Sequence, residues 1–126
     1  MRRDQKGRVA ETAVLQRLAK RDLDVFSSVF DGSSVDFISV DRVSGAVRKI
    51  QVKWLKTGRH GAKMLKLEKS AGRKKFKPYQ SHEVDIFIGF DGDTGVCYVF
   101  TFDEVKHLKT AVSVSDAAQE AWHKLV

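Results

Sequence analysis

The spacing of the apolar residues changes near residue 22, and this change constrains the fold more than any other feature. Between residues 7 and 21 the apolar side chains recur every three or four positions, which is the period of one helix face. That face consists of Val9, Ala10, Ala13, Val14 and Leu18. Beyond residue 22 the period falls to two, with many Val, Ile and Phe residues, which is typical of strands. The chain therefore begins with an amphipathic helix and continues into a sheet.

The alternating segments are separated by turns rich in Gly, Asp and Ser. The expected strands are residues 23–30, 35–43, 46–55, 84–90 and 96–100. Helices on one or both sides of these strands would give an α/β fold with a mixed sheet.

Two short helices are expected after the last strand. Thr101 and Glu104 have the spacing of a capping box, which predicts a helix to about Leu108. Ser115 is a suitable N-cap for a last helix over residues 116–125. That helix would bury Ala118, Trp122 and Leu125.

Positive charge is concentrated in the middle of the chain. Residues 48–77 carry twelve basic side chains and one acidic, whereas residues 78–126 carry three basic and eight acidic. This contrast, within a chain of net charge +7, favours nucleic acid as a partner. Residues 56–82 hold the only proline and three of the nine glycines. There we expect a long loop, mobile without its ligand, with a short strand at residues 64–67.

Length and composition limit the remaining possibilities. A chain of 126 residues, 42% of them hydrophobic, suits one domain with a packed core. No apolar run approaches the roughly 18 residues that span a bilayer, and no apolar signal segment follows the N-terminus. The single cysteine, Cys97, excludes an internal disulfide and fits a reducing cytosol. We therefore expect a cytoplasmic protein without a membrane partner.

One expected strand carries polar residues in a distinctive pattern. In Ile50-Gln51-Val52-Lys53-Trp54, side chains two positions apart point the same way, so Gln51 and Lys53 share one face. Taken alone, this pattern is typical of any strand with one solvent-facing side.

Asp36 gives the pattern a second element. It lies on the preceding strand among Val35, Phe37 and Ile38, where Asp is rare. An ionised carboxylate among apolar neighbours is costly unless it is paired or binds a metal, although an Asp close to a turn can also cap the backbone. Because the two strands form one hairpin, Asp36 can converge with the polar pair of the next strand.

Phosphodiester hydrolysis requires side chains of these types. Mg²⁺ prefers hard oxygen ligands, which Asp36, the Val52 backbone carbonyl and the Gln51 side-chain oxygen can supply. The metal polarises the phosphoryl oxygen and acidifies a water. Lys53 can supply the cation that steadies the developing negative charge.

The order of these residues resembles that of the PD-(D/E)xK nucleases, in particular the archaeal Holliday-junction resolvases and the intron-encoded homing endonucleases. The resemblance extends over about residues 6–102 and includes a later strand at residues 84–87. It implies a restriction-endonuclease-like core, with a mixed central β-sheet flanked by helices. It also implies Mg²⁺ as the cofactor, with Mn²⁺ as a substitute.

The resemblance assigns a role to each matching residue. Glu11, which would also suit an exposed helix position, organises the metal; Asp36 is the central ligand, and Lys53 is the catalytic lysine. The family's proline is absent, because Val35 precedes Asp36. Gln51 occupies the place of the second acid, where an amide binds a metal more weakly than a carboxylate, and it resembles a variant of the intron-type homing endonucleases.

The surrounding basic residues are expected to contact DNA. Lys and Arg bind phosphates, and Arg can also grip guanine, so Arg59 and Arg73 are candidates for reading bases. Most of the set lies in a basic segment at about residues 56–78. The full set is Lys6, Arg8, Lys56, Arg59, Lys63, Lys66, Arg73, Lys74, Lys75 and Lys77. Asp85 has two readings, as a buried network residue or as the start of a strand.

Three functions fit these features. The first is a Mg²⁺-dependent DNA endonuclease of homing type, which cuts double-stranded DNA as a homodimer or homotetramer. The second is a Holliday-junction resolvase, which recognises branched DNA. The third is a non-catalytic nucleic-acid-binding module on a nuclease fold, for which Gln51 is the best support.

Overall fold

A five-stranded sheet forms the centre of the computed structural model, which describes residues 1–126. In chain order the helices and strands are α1 (Arg3–Ala19), β1 (Leu23–Ser27), β2 (Phe37–Asp41), β3 (Val47–Trp54), β4 (Lys56–Thr57), β5 (Lys63–Lys66), β6 (Glu68–Ser70), β7 (Phe76–Pro78), β8 (Ile86–Phe90), β9 (Cys97–Thr101), α2 (Phe102–Val105) and β10 (Ala111–Ser113). The spatial order of the central sheet is β1-β2-β3-β8-β9. All its neighbours are antiparallel except β3 and β8, which run parallel, so the expected mixed α/β architecture is confirmed.

Helix α1 covers one face of this sheet. Ala10, Val14 and Leu18 are buried against the inward side chains of β2, β3, β8 and β9. These three positions recur at helical spacing, as the amphipathic pattern predicts. Val9, which was expected on the same face, is instead 39% exposed, because it lies at the edge of the packed stripe. The helix begins earlier than expected, at Arg3, because the Arg2 amide donates a hydrogen bond of 2.8 Å to Gln5 Oε1 in the first turn.

A second apolar cluster covers the opposite face at the β8–β9 side. Phe87 and Phe100 project there and meet Leu65 of β5 and Val105 of α2. Strands β10, β5 and β4 form a small sheet over this cluster. Gly89 of β8 lies beneath it, and a side chain at this position would collide with Leu55 and Leu65. Strand β8 is consequently buried on both faces.

Residues 56–82 are more ordered than their composition indicates, and the expectation of one long loop is wrong. They hold four strands, β4 to β7, and one of them, β5, lies close to the expected short strand. Leu65 and Leu67 are buried in the second cluster, so two apolar side chains anchor a segment that is otherwise basic. The residues joining the parallel strands β3 and β8 thus form structure of their own.

The C-terminal region also differs from the expected helix over residues 116–125. Two short 3₁₀ turns, Asp116–Ala118 and Trp122–Leu125, take its place. Glu120 interrupts them with a positive φ of 46°, which no helix accommodates. The apolar residues expected to be buried there are buried, and the Thr101–Glu104 capping box is present. No helix in the structure combines the length and the apolar surface that crossing a bilayer requires.

Glu120 joins α1 to the C-terminal turns and to β9. Its Oε1 accepts hydrogen bonds from Arg17 Nε and Trp122 Nε1, both at 3.0 Å, and its Oε2 accepts one from the Cys97 amide at 2.6 Å. Burial acts to raise the pKa of Glu120, but these three hydrogen bonds outweigh it and leave that pKa below its usual value. The ionised carboxylate therefore stabilises the fold.

Replacement of Glu120 by glutamine is expected to lower the free energy of unfolding at pH 7 by about 1–2 kcal/mol, because charged hydrogen bonds become neutral. Since the folded pKa is depressed, this contribution is complete above the ordinary value of 4.5 and is lost as the pH falls through the folded pKa. Urea unfolding of both proteins at pH 7 and pH 3 measures it. Asp31→Asn, at an exposed turn position, is the control. An equal loss at both pH values would contradict the role of the charge.

Candidate active site

Asp36 lies immediately before β2, at the point where β2 meets the middle of β3. Its amide donates a hydrogen bond of 2.8 Å to the Ile50 carbonyl, and its Oδ2 accepts one of 2.8 Å from the Val52 amide. The side chain thus continues the ladder between the strands in place of a backbone carbonyl. Oδ1 makes no hydrogen bond within the protein, so one carboxylate oxygen is available to a ligand.

Glu11 approaches Asp36 from helix α1. It is half-buried and follows Ala10, which is buried under the sheet. Burial raises the pKa of Glu11, and the negative charge of Asp36 raises it further. Neither carboxylate forms a salt bridge within 4.0 Å. Two half-buried carboxylates that repel each other are arranged to receive a cation.

Gln51 and Lys53 share the face of β3 opposite α1, as the alternation predicts. Ile50 and Val52 point into the first core cluster instead. Gln51 Nε2 donates a hydrogen bond of 3.3 Å to the Val52 carbonyl. Rotation of this amide by half a turn would place its oxygen, in place of its nitrogen, on the side of the Val52 carbonyl, since the two ends of the group have nearly the same shape.

Lys53 is half-buried and surrounded by other cations. Burial lowers the pKa of Lys53, and the positive charges of Lys66, Lys56 and Arg3 lower it further. The negative charge of Asp36 acts in the opposite direction. Burial in turn raises the pKa of Asp36, against the opposing effects of the Val52 hydrogen bond and the Lys53 charge. Asp36 and Lys53 are therefore near enough for the charge of each to affect the pKa of the other, without a salt bridge between them.

Tyr79 completes the surroundings of Lys53, and the sequence analysis missed it. Its ring is only 8% exposed and packs edge-on against Phe87. The Nζ atoms of Lys53 and Lys69 lie 5.2 and 5.7 Å from its centroid. Burial, with the charges of Asp36 and Glu83, raises the pKa of Tyr79 to about 12, so the phenol stays neutral. A tyrosine directly after the only proline was the available signal, but nothing in the sequence linked it to Lys53.

The Lys53 side chain lines a cleft of about 960 Å³, which lies between the start of α1 and the β4–β7 region. Seven cationic side chains line the cleft: Arg3, Lys6, Lys53, Lys56, Lys63, Lys66 and Lys69. The acidic side chains in its wall are Glu68 and Asp93. The electrostatic field in the cleft therefore favours a polyanion.

The expected DNA-binding residues divide between the cleft and the outer surface. Lys6, Lys56, Lys63 and Lys66 line the cleft, together with Arg3, which was not expected. Arg8 lies on the exposed side of α1, 3.8 Å from Asp4. The remaining residues are exposed and lie outside the cleft wall: Arg59, Arg73, Lys74, Lys75 and Lys77.

Two lysines of the cleft are already paired with acids. Lys63 Nζ lies 2.5 Å from Asp93 and 3.4 Å from the buried Asp91. Lys69 forms a salt bridge with Glu83. These pairs reduce the charge that either lysine offers to a phosphate, whereas Lys53, Lys56 and Lys66 have no acidic partner within salt-bridge distance.

Asp85 is a network residue of the sheet. Its amide donates a hydrogen bond of 2.9 Å to the Lys49 carbonyl, and its Oδ2 accepts one of 2.8 Å from the Lys49 amide. It extends the pairing of β3 with β8 by one residue and lies outside the group formed by Glu11, Asp36 and Lys53. The sequence did not distinguish this role, because an Asp that directly precedes a buried strand is compatible with both readings.

The donor set near Asp36 fits a hard divalent cation. It comprises two carboxylates, the Val52 carbonyl and the Gln51 amide, all of which offer oxygen. No cluster of three or more His, Cys, Asp or Glu side chains suited to a metal occurs in the structure. Gln51 therefore adds an oxygen ligand without a further negative charge. A softer metal such as zinc would find no nitrogen or sulfur ligands here.

Comparisons with known proteins identify the family of this chain and a solved structure of similar fold. The family model described as PD-(D/E)XK endonuclease matches residues 1–125. Among solved structures, the bacterial homing endonuclease I-Ssp6803I superimposes with a TM-score of 0.83 at 22% identity, over 98% of this chain and 92% of that one. No curated protein sequence matches. Because the family model spans almost the entire chain, this protein belongs to the PD-(D/E)XK endonuclease family.

Proposed function

We propose that this chain is a Mg²⁺-dependent endonuclease that hydrolyses phosphodiester bonds in double-stranded DNA. The proposal is supported by Lys53 in the wall of a basic cleft, with the carboxylates of Asp36 and Glu11 near enough to affect each other's pKa and, for Asp36, that of Lys53. Carboxylates recruit a cation, and the cleft attracts the phosphate backbone. Family membership supports hydrolysis as the reaction.

Each residue contributes a separate property. Asp36, Glu11, the Val52 carbonyl and the Gln51 side chain would hold Mg²⁺, or Mn²⁺ in its place. When bound, the ion polarises a phosphoryl oxygen and acidifies a water. The Lys53 ammonium offsets the negative charge that grows on the phosphate oxygens during attack. Burial against Tyr79 holds this ammonium in position.

The DNA would follow the cleft and extend over the basic segment at about residues 56–78. Lys6, Lys56 and Lys66, which line the cleft together with Lys53, would contact phosphates there. The exposed cations outside the cleft would bind more distant phosphates, and Arg59 and Arg73 remain the proposed readers of base edges. On this proposal residues 1–126 act as one nuclease domain, and the DNA substrate and the free Cys97 favour a reducing cytoplasm.

A homing-type, site-specific activity is favoured over junction resolution. The support is the structural neighbour, which is itself a bacterial homing endonuclease, together with Gln51 at the second-acid position. A resolvase remains the alternative enzyme, and a binding module without cleavage is the alternative outside catalysis.

We further propose that the chain acts as a homodimer or homotetramer. Two strands of a duplex present two equivalent bonds, which two-fold symmetric subunits match. The sheet face opposite α1 is uncovered at β1, β2 and β3, where Phe26 and Val47 are more than half exposed beside Ile38 and Val40. A contiguous apolar surface of this kind is typical of protein interfaces.

Incubation with Mg²⁺ and two substrates tests the proposed function. The homing proposal expects cleavage of both strands at one sequence within a plasmid library, because base contacts select the site. Four-way junctions of unrelated sequence should remain intact. Cleavage of junctions regardless of sequence would establish the resolvase, and absence of cleavage with Mg²⁺ or Mn²⁺ would establish a binding module.

Lys53→Ala is expected to lower the cleavage rate at saturating DNA by about 100- to 1,000-fold, since it removes a charge aimed at the transition state. DNA affinity should change little, because the other cations of the cleft remain. Single-turnover cleavage and fluorescence anisotropy measure the two quantities. Lys109→Ala, at an exposed position away from the cleft, is the matched control. A variant that cuts at the native rate would remove Lys53 from the mechanism.

Gln51→Glu is expected to tighten divalent-metal binding, because a carboxylate replaces a neutral amide beside Asp36 and Glu11. Calorimetric titration with Mn²⁺ in the absence of DNA measures the dissociation constant. Gln51→Ala serves as the comparison and should bind no more tightly than the native chain. An unchanged constant for the glutamate variant would mean that the side chain at position 51 does not reach the ion.

A further inference from the structure

Phe76 is the exposed aromatic residue in the wall of the basic cleft. Its side chain is 51% exposed, whereas Tyr79 in the same wall is buried and Trp54 is half-buried. Trp54 also packs edge-on against Phe90 and closely over Gly92, so much of its ring is in contact with other residues of the protein. The other exposed phenylalanines, Phe26 and Phe30, do not line this cleft.

The strand that carries Phe76 belongs to a two-stranded hairpin whose neighbouring residues contact the surroundings of Lys53. β6 and β7 pair in antiparallel register, with Ser70 opposite Phe76. Lys69 of β6 forms its salt bridge with Glu83 and lies over the ring of Tyr79. Tyr79, three residues after Phe76, is buried under Lys53. Phe76 therefore projects from an anchored hairpin and is not the end of a free loop.

The Lys66 ammonium contacts the Phe76 ring. Lys66 Nζ lies 3.8 Å from the ring centroid, close enough for a cation–π contact. Lys66 also contributes to the field around Lys53. A phosphate bound at Lys66 would consequently bring the attached nucleoside near the ring.

The chemistry of the ring selects the part of DNA that it contacts. A phenyl group offers nothing to a phosphate, and it gains little for folding at half exposure. The flat apolar surfaces of DNA are its base faces, which aromatic side chains contact by stacking or by insertion between base steps. In an intact duplex these faces are covered by neighbouring bases, so the ring requires a base that is locally unstacked.

We propose that Phe76 is a nucleobase-binding residue, whose ring stacks on an unpaired or unstacked base of DNA bound in the cleft. The inference rests on the proposed DNA-binding role of the cleft and does not require cleavage. Lys66 holds the adjoining phosphate, and Phe76 holds the base. The pair favours DNA that is opened or kinked next to Lys53 over undistorted duplex.

Two duplexes with equal numbers of phosphates provide the test. One carries a single unpaired adenine, and the other carries an abasic residue at the same place. Fluorescence anisotropy in EDTA gives both dissociation constants without cleavage. The native chain should bind the adenine duplex about 5-fold or more tightly, as expected for one stacked base. Phe76→Ala should reduce this ratio to about 1 and leave the affinity for the abasic duplex nearly unchanged.

Two further variants separate stacking from other effects. Phe76→Leu keeps an apolar side chain without a ring, and the ratio should fall as well. Lys77→Ala, on the same strand, should weaken binding to both duplexes equally and preserve the ratio. Thermal melting followed by circular dichroism confirms that each variant is folded.

Three results would overturn the inference: a native ratio near 1, a ratio that survives Phe76→Ala, or native protein that binds neither duplex. Failure of the proposed nuclease function is a different result. In that case the native chain discriminates between the duplexes but cuts no DNA when Mg²⁺ is added.

Discussion

The hydrogen bond from the Val52 amide to the Asp36 carboxylate connects the fold to the candidate chemistry. It joins the entry to β2 with the middle of β3 and replaces one rung of the backbone ladder. An Asp at a strand start would otherwise face solvent or pay for burial. Here one oxygen stabilises the sheet and the other remains available, so the same residue serves the structure and a ligand. The adjoining Val52 carbonyl and Gln51 amide are positioned by the same strand.

Like charges are grouped on either side of this hydrogen bond, with two carboxylates on one side and several lysines on the other. Glu11 and Asp36 repel each other, while Lys53 is lowered in pKa by burial and by Lys66. Such clusters are unfavourable without ligands, and the two apolar clusters on either face of the sheet hold them in place. A cation among the carboxylates and a polyanion in the cleft would relieve both repulsions. Under the proposed function, a metal and DNA would therefore bind more favourably together than either would alone.

Much of the architecture was predictable from local patterns. The helix, the three strands around Asp36 and Lys53, and the Thr101 capping box follow from periodicity and from turn chemistry. The irregular C-terminal region was not predictable, because Glu120 adopts a positive φ there and its carboxylate accepts hydrogen bonds from Arg17 and Cys97, which are 103 and 23 residues away in sequence. The basic segment was misjudged because its composition concealed Leu65 and Leu67, whose burial organises four strands.

The sequence by itself determined which side chains share a face, since alternation along β3 separates Gln51 and Lys53 from Ile50 and Val52. It also determined the excess of cations and the neutral residue at the second-acid position. Only the tertiary structure decided which cations surround Lys53, that Tyr79 lies beneath it, and that Phe76 faces the same cleft. Which face of a strand a side chain occupies is a local property of the backbone. The contacts around Lys53, in contrast, join residues up to about fifty positions apart, which meet only when α1 and the β4–β7 region pack on the central sheet.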